Sequence, residues 1–178
     1  MSEYGEMLSP NTVRFERLLP GPIERVWNYI IDGEKRAQWL CGGDTDARAG
    51  GKIELRFHNG TISDLPDDPP PAKYATMNEK VSFHGTITRC EAPTVLAHTW
   101  EFEETASEVC YELFEAGDEV RLVLTHSRLD TPEEVAGACG GWHTHLGILA
   151  DILEGRERRP FWKTHTILEA EYERRLQA

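Results

Sequence analysis

The feature that most constrains the fold is the stretch 136–154, AGACGGWHTHLGILADILE. Val135, Cys139, Trp142, Leu146, Leu149 and Leu153 recur at steps of three and four, which sets them on one stripe of an α-helix. The preceding Thr131-Pro132-Glu133-Glu134 supplies a start, with Thr131 as cap and Pro132 at the first helical position. Gly137, Gly140, Gly141 and Gly147 would each weaken a free helix by roughly 1 kcal/mol relative to alanine. Such residues fit a helix whose backbone is pressed close to another surface. Coming after a run of strands, the pattern predicts a long helix laid across a sheet.

The sheet is read from alternation. Residues 12–19 set Val13 and Phe15 against Arg14 and Glu16, and residues 52–58 place Ile53, Leu55 and Phe57 on one face. Further strands are expected at 81–90, 95–102, 107–115 and 119–127, separated by Glu91-Ala92-Pro93, Glu103-Glu104-Thr105 and Ala116-Gly117-Asp118. Between the first two strands, Ile23, Val26, Trp27 and Ile30 mark a short helix, and residues 34–40 a second one ending at Trp39-Leu40. Residues 161–176 predict a last helix with Trp162, His165, Leu168, Tyr172 and Leu176 on one side, and nothing in it implies chemistry. Residues 1–10 read as a loose tail. The proline-rich segment 59–80 is either a lid or a solvated insertion, and its few apolar residues favour the insertion. The expectation is a single α+β domain over 11–155, a curved antiparallel sheet of about six strands under one long helix, with 156–178 as a helical extension.

Charge and composition narrow the partners. The chain of 178 residues carries 31 acidic against 19 basic residues, a net charge of −12 that repels phosphate backbones, so nucleic acid is excluded. No apolar run approaches the roughly 20 residues that cross a bilayer, so no membrane insertion is expected. The N-terminus lacks the basic start and apolar stretch of a signal peptide, which points to the cytoplasm. Cys41, Cys90, Cys110 and Cys139 lie far apart without C-x-x-C spacing and read as reduced, half-buried small hydrophobes. No metal and no cofactor is expected.

The chemistry-bearing residues are few. His143 and His145 point about 200° apart on a helix and do not chelate together; His145, beside Leu146, is the one expected to face inward. His98 and His126 fall by alternation on the apolar sheet face with Phe83, Trp100 and Tyr111. They could orient a ligand's carbonyl or carboxylate, or bond each other, a serine or a water. Glu101, Glu112 and Glu119 alternate outward, so no acid–base pair and no catalytic residue emerges. Trp39, Trp100 and Trp142 come from a short helix, the sheet and the long helix, and aromatics converging there would line a small-ligand cavity. The candidate lining is Trp39, Phe83, His98, Trp100 and Tyr111 with His126, Trp142, His145 and Leu146.

Val26-Trp27 followed by Ala37-Gln38-Trp39-Leu40 resembles a signature of the START-like (SRPBCC) superfamily, which has the helix-grip fold. So do Phe83-His84-Gly85-Thr86-Ile87 and Leu96-Ala97-His98-Thr99-Trp100. Leu122-Val123-Leu124-Thr125-His126-Ser127, followed by Gly141-Trp142, is similar to its branch related to the activator of the heat-shock chaperone ATPase. The resemblance implies a hydrophobic cavity between sheet and helix, and a ligand that is a lipid, sterol, polyketide or other small hydrophobic molecule. It leaves two alternatives: a chaperone-associated interaction protein, and a cyclase- or hydrolase-type enzyme using His98 or His126. It carries over no catalytic residue. The helix at 161–176 extends past the usual grip helix and could support a homodimer.

Overall fold

The computed structural model describes residues 2–102 and 105–177; Met1, Ala178 and the Glu103-Glu104 turn expected between two strands lie outside them. Seven strands form one antiparallel sheet: β1 (Glu6–Ser9), β2 (Thr12–Pro20), β3 (Lys52–Phe57), β4 (Val81–Glu91), β5 (Val95–Phe102), β6 (Thr105–Ala116) and β7 (Glu119–Ser127). Their order across the sheet is β1-β2-β7-β6-β5-β4-β3, so β1 and β3 are its edges. The register places Val13 opposite His126, His126 opposite Val109, Val109 opposite His98 and His98 opposite Ile87. Facing partners in an antiparallel sheet point the same way, so one row sends both imidazoles inward.

The inner face is covered by α4 (Pro132–Leu153), capped as expected: Thr131 Oγ1 accepts from Glu134 N at 3.1 Å. Its apolar stripe, from Val135 through Trp142 to Leu153, is buried. A second stripe explains the glycines. Gly140, His143, Gly147 and Asp151 face α5 (Phe161–Leu176) and the segment leading into it. A Cβ on Gly140 would stand 3.2 Å from the Glu169 Cα, and one on Gly147 would meet the Arg159 guanidinium. The surface against which the glycines let the backbone approach is therefore α5 and its leader, not the sheet. With partners on two sides, α4 is buried nearly all round, as its apolar and small composition demands.

The short helices close one end. In α1 (Ile23–Ile31), Ile23, Val26, Trp27 and Ile30 are buried, and α2 (Gly33–Arg36) is capped by Asp32, whose carboxylate accepts from Lys35 N at 2.9 Å. The second helix stops earlier than the expected 34–40. Past Arg36 the backbone tightens to i→i+3 bonds, Gln38 N to Lys35 O and Trp39 N to Arg36 O. The buried Arg36 guanidinium at the end of that helix gathers carbonyls from the chain that follows it and from β3: Cys41 O at 3.0 Å, Gly43 O at 2.9 Å and Glu54 O at 3.2 Å, besides Thr45 Oγ1 at 2.8 Å. One side chain so ties the helix pair to the start of β3.

Two expectations are corrected. Residues 1–10 are not a loose tail: β1 pairs with β2, Gly5 N donates to Tyr172 Oη at 2.8 Å, and the Tyr4 ring stands edge-on to His143. An edge strand of four residues, with Leu8 half-exposed, is too short and too polar to signal itself by alternation. The segment 59–80 is no inert insertion either. Its α3 (Ala75–Asn78) and the turns before it pack on α5, whose first free N–H groups it caps. Ser63 Oγ accepts from Phe161 N at 2.9 Å, and the Asp67 carboxylate accepts from Trp162 N at 2.8 Å and Lys163 N at 2.9 Å.

Candidate functional site

A cavity of about 500 Å³ opens where the sheet, α4, α5 and the 59–80 segment meet. That size falls in the range of small-molecule sites, about 300–1,000 Å³. Each wall has a local cause. Trp100, Ser107 and His126 come from the inward positions of β5, β6 and β7, and Trp142 and His145 from α4. Phe161, Trp162 and His165 sit at the start of α5, held there by the capping from Ser63 and Asp67. Asn59, Tyr74 and Met77 belong to the proline-rich segment, so that segment is part of the wall. Exposed Lys73, Thr76 and Glu133 mark the mouth.

Of the nine residues singled out from the sequence, Trp100, His126, Trp142 and His145 line the cavity. The other five back them. Phe83 stands edge-on to Trp100 at 5.4 Å, and His98 stacks between Trp100 and Tyr111. Leu146 is fully buried in the core. Trp39 is fully buried too, its Nε1–H donating to Tyr29 O at 2.8 Å; its neighbour Leu40 reaches the wall instead. Asn59, Tyr74, Ser107, Phe161, Trp162 and His165 were not anticipated. For α5 the signal was present, since Trp162 and His165 share its apolar side, but an apolar stripe does not say which surface it meets.

The polar groups are individually tied. Trp142 Nε1–H donates to His126 Nδ1 at 2.9 Å. A nitrogen that accepts carries no proton, so neutral His126 holds its proton on Nε2 and donates it to Ser107 Oγ at 2.7 Å. Burial, with His98 nearby, lowers the His126 pKa to about 3, which keeps the ring neutral. Ser107 therefore faces a donor, not a base, and the pair is no activated nucleophile. The serine keeps its own proton to offer to an occupant. His145 Nδ1–H donates to Trp39 O at 2.6 Å, and its pKa falls to about 4 through burial. His98 Nδ1–H donates to Thr99 O at 2.9 Å, and burial lowers its pKa to about 4. It lies off the cavity wall. His143, expected to point outward, is buried on the other side of α4 against Tyr172 Oη at 3.0 Å. Inside a mouth that carries Lys73, Glu133 and Glu134, the cavity thus offers a mainly aromatic surface with a few fixed donors and acceptors, and among the described residues no cluster of side chains could hold a metal ion.

Comparison with known proteins places this geometry. The family model described as "Activator of Hsp90 ATPase homolog 1-like protein" matches residues 70–154, which hold β4 to β7 and α4. A protein of Bordetella parapertussis with a solution NMR structure is 45% identical over 97% of this chain and 90% of its own, with a TM-score of 0.81. CalU16 from Micromonospora echinospora shares the fold at 21% identity, TM-score 0.67, over 94% of this chain and 89% of its own. DynU16, from the dynemicin biosynthetic locus, does so at 23% identity, TM-score 0.63, over 85% of this chain and 51% of its own. No curated protein matches the chain.

Proposed function

The chain belongs to the START-like helix-grip superfamily, in its branch related to the activator of the heat-shock chaperone ATPase, and on that premise we propose that it is a cytoplasmic protein that binds a small hydrophobic molecule. The observation that carries the reading is the aromatic-walled cavity of about 500 Å³ between sheet, α4 and α5. A concave space of this size, walled mainly by aromatic side chains with a few fixed polar groups, has the form of a small-molecule pocket. Fold families of this kind commonly hold hydrophobic ligands, which agrees with it.

The test is a panel of lipids, sterols and aromatic molecules read by two signals. A ligand at about 100 times its Kd adds about 2.7 kcal/mol of stability, which raises the melting temperature by several degrees. Three of the five tryptophans, Trp100, Trp142 and Trp162, line the cavity, so binding shifts the intrinsic fluorescence as well. A panel that moves neither signal defeats the reading. The family description gives a second reading, a cofactor of the chaperone ATPase. Adding the protein to the chaperone and measuring ATP turnover separates the two, and an accelerated rate would favour the second.

A further inference from the structure

Three polar groups of the cavity wall form a chain with one direction. It starts at the Trp142 indole, which can only donate, and whose Nε1 lies 2.9 Å from His126 Nδ1. The nitrogen that accepts is unprotonated, so the imidazole proton is fixed on Nε2 and goes to Ser107 Oγ at 2.7 Å. A hydroxyl that accepts from a ring N–H cannot return its own proton along the same line. Ser107 Oγ has no second partner among the described residues. The chain therefore ends on a serine O–H that is still free to donate.

The strand decides where that group is presented. Ser107 pairs with Trp100 across the β5–β6 ladder and shares the inward face of β6 with buried Val109 and Tyr111. At an inward position the backbone is engaged in the ladder, and the side chain, here one methylene and one hydroxyl, is what meets the interior. Ser107 is 7% exposed, and it lines the cavity together with His126 and Trp142. Away from bulk water each hydrogen bond in such a row polarises the next, so the terminal hydroxyl is a better donor than a lone serine. The charged groups of the wall do not share its task. Lys73 is bonded to Glu169 at 3.1 Å, and Glu133 and Glu134 stand at the mouth. A carboxylate would carry an uncompensated charge into an aromatic interior, whereas a carbonyl brings a lone pair and no charge.

Resting on the cavity-binding reading, we infer that Ser107 selects the occupant by donating to the carbonyl oxygen of an uncharged hydrophobic molecule, a ketone or an ester. Trp142 and His126 are positioning residues that hold the serine as a donor.

Two isosteric pairs test it. Butyrophenone and butylbenzene differ by a carbonyl in place of a methylene, and Ser107→Thr and Ser107→Val differ by a hydroxyl in place of a methyl. Titration calorimetry gives the dissociation constant of each probe for the parent and for both variants. The preference for the ketone, taken as the ratio of the two constants, is expected to be unchanged in Ser107→Thr and at least about threefold smaller in Ser107→Val, the worth of one neutral hydrogen bond. An equal ratio in the two variants overturns the inference, as does a ketone that fails to bind where butylbenzene binds; the cavity reading stands in both cases. A parent protein that binds neither probe overturns both. If either variant does not fold, the infrared carbonyl band of butyrophenone bound to the parent decides. A band below its position in hexane supports the serine donor, and a band at the hexane position overturns it.

Discussion

His126 spends both ring nitrogens on the protein, one accepting from Trp142 and one donating to Ser107, inside a cluster where Trp100 stands 5.7 Å and Trp142 6.1 Å from its centroid. The tautomer is therefore set by an indole, which can only donate. Replacing Trp142 by Phe keeps most of the apolar contact and removes that donor, leaving a buried imidazole lone pair unpaired. The expected cost is about 1–3 kcal/mol in urea unfolding. The double change Trp142→Phe with His126→Leu should cost less than the sum of the single changes, because it removes donor and acceptor together. A Trp142→Phe protein as stable as the parent would mean that the bond contributes nothing.

At the scale of elements, the two faces of α4 make opposite demands on its glycines. A Cβ on Gly140 would press on the Glu169 backbone at 3.2–3.3 Å and its Cβ at 3.1 Å, whereas one on Gly141 meets nothing within 4 Å. Gly141→Ala is then expected to stabilise by up to about 1 kcal/mol through helix propensity. Gly140→Ala should lose more than that gain, since it drives two helices apart where backbone, not a flexible tip, stands in the way. Thermal unfolding of the two variants reads the contrast directly, and equal shifts in the same direction would refute the close helix contact. The same helix shows why some of the architecture was legible beforehand. A period of two marks β4 to β7, and steps of three and four mark the α4 stripe, because burial against one broad surface writes itself into local order. The second stripe of α4 escaped, since glycine, histidine and aspartate form a contact face only once α5 is known to lie there. Ser63 and Asp67 looked like loop residues for the same reason: their role is to cap a helix almost a hundred positions away. Four of the nine candidate site residues reached the cavity wall because they lie on surfaces that alternation or helical spacing can assign. Asn59, Tyr74 and His165 depend on how a loop and a late helix dock, which no local pattern encodes.

Across the whole molecule, the buried histidines make stability depend on acidity. Burial, ahead of neighbouring charge, lowers the pKa of His98, His143 and His145 to about 4 and of His126 to about 3, and pushes His165 down as well. In the unfolded chain each ring titrates near its ordinary value of about 6.5. Between these values the unfolded state binds protons that the folded state refuses, so stability is full above about pH 6.5 and falls as the pH drops towards about 4. From about pH 7.5 to about pH 5.5 the loss is on the order of 1 kcal/mol for each ring, several kcal/mol in all. An opposing effect comes from the net charge of −12, whose self-repulsion relaxes as carboxylates protonate. Carboxylates titrate mostly below this window, and surface repulsion is screened by salt while burial of an imidazole is not. Urea unfolding at the two pH values, in low and in high salt, should show a loss on acidification that persists in high salt. His143→Phe, placed among the rings of Tyr4, Phe15 and Tyr172, should remove about one ring's share of that loss. A stability unchanged between the two pH values would mean that the interior accepts charged imidazoles, and the neutrality of the cavity's histidines derived from their burial would fall with it.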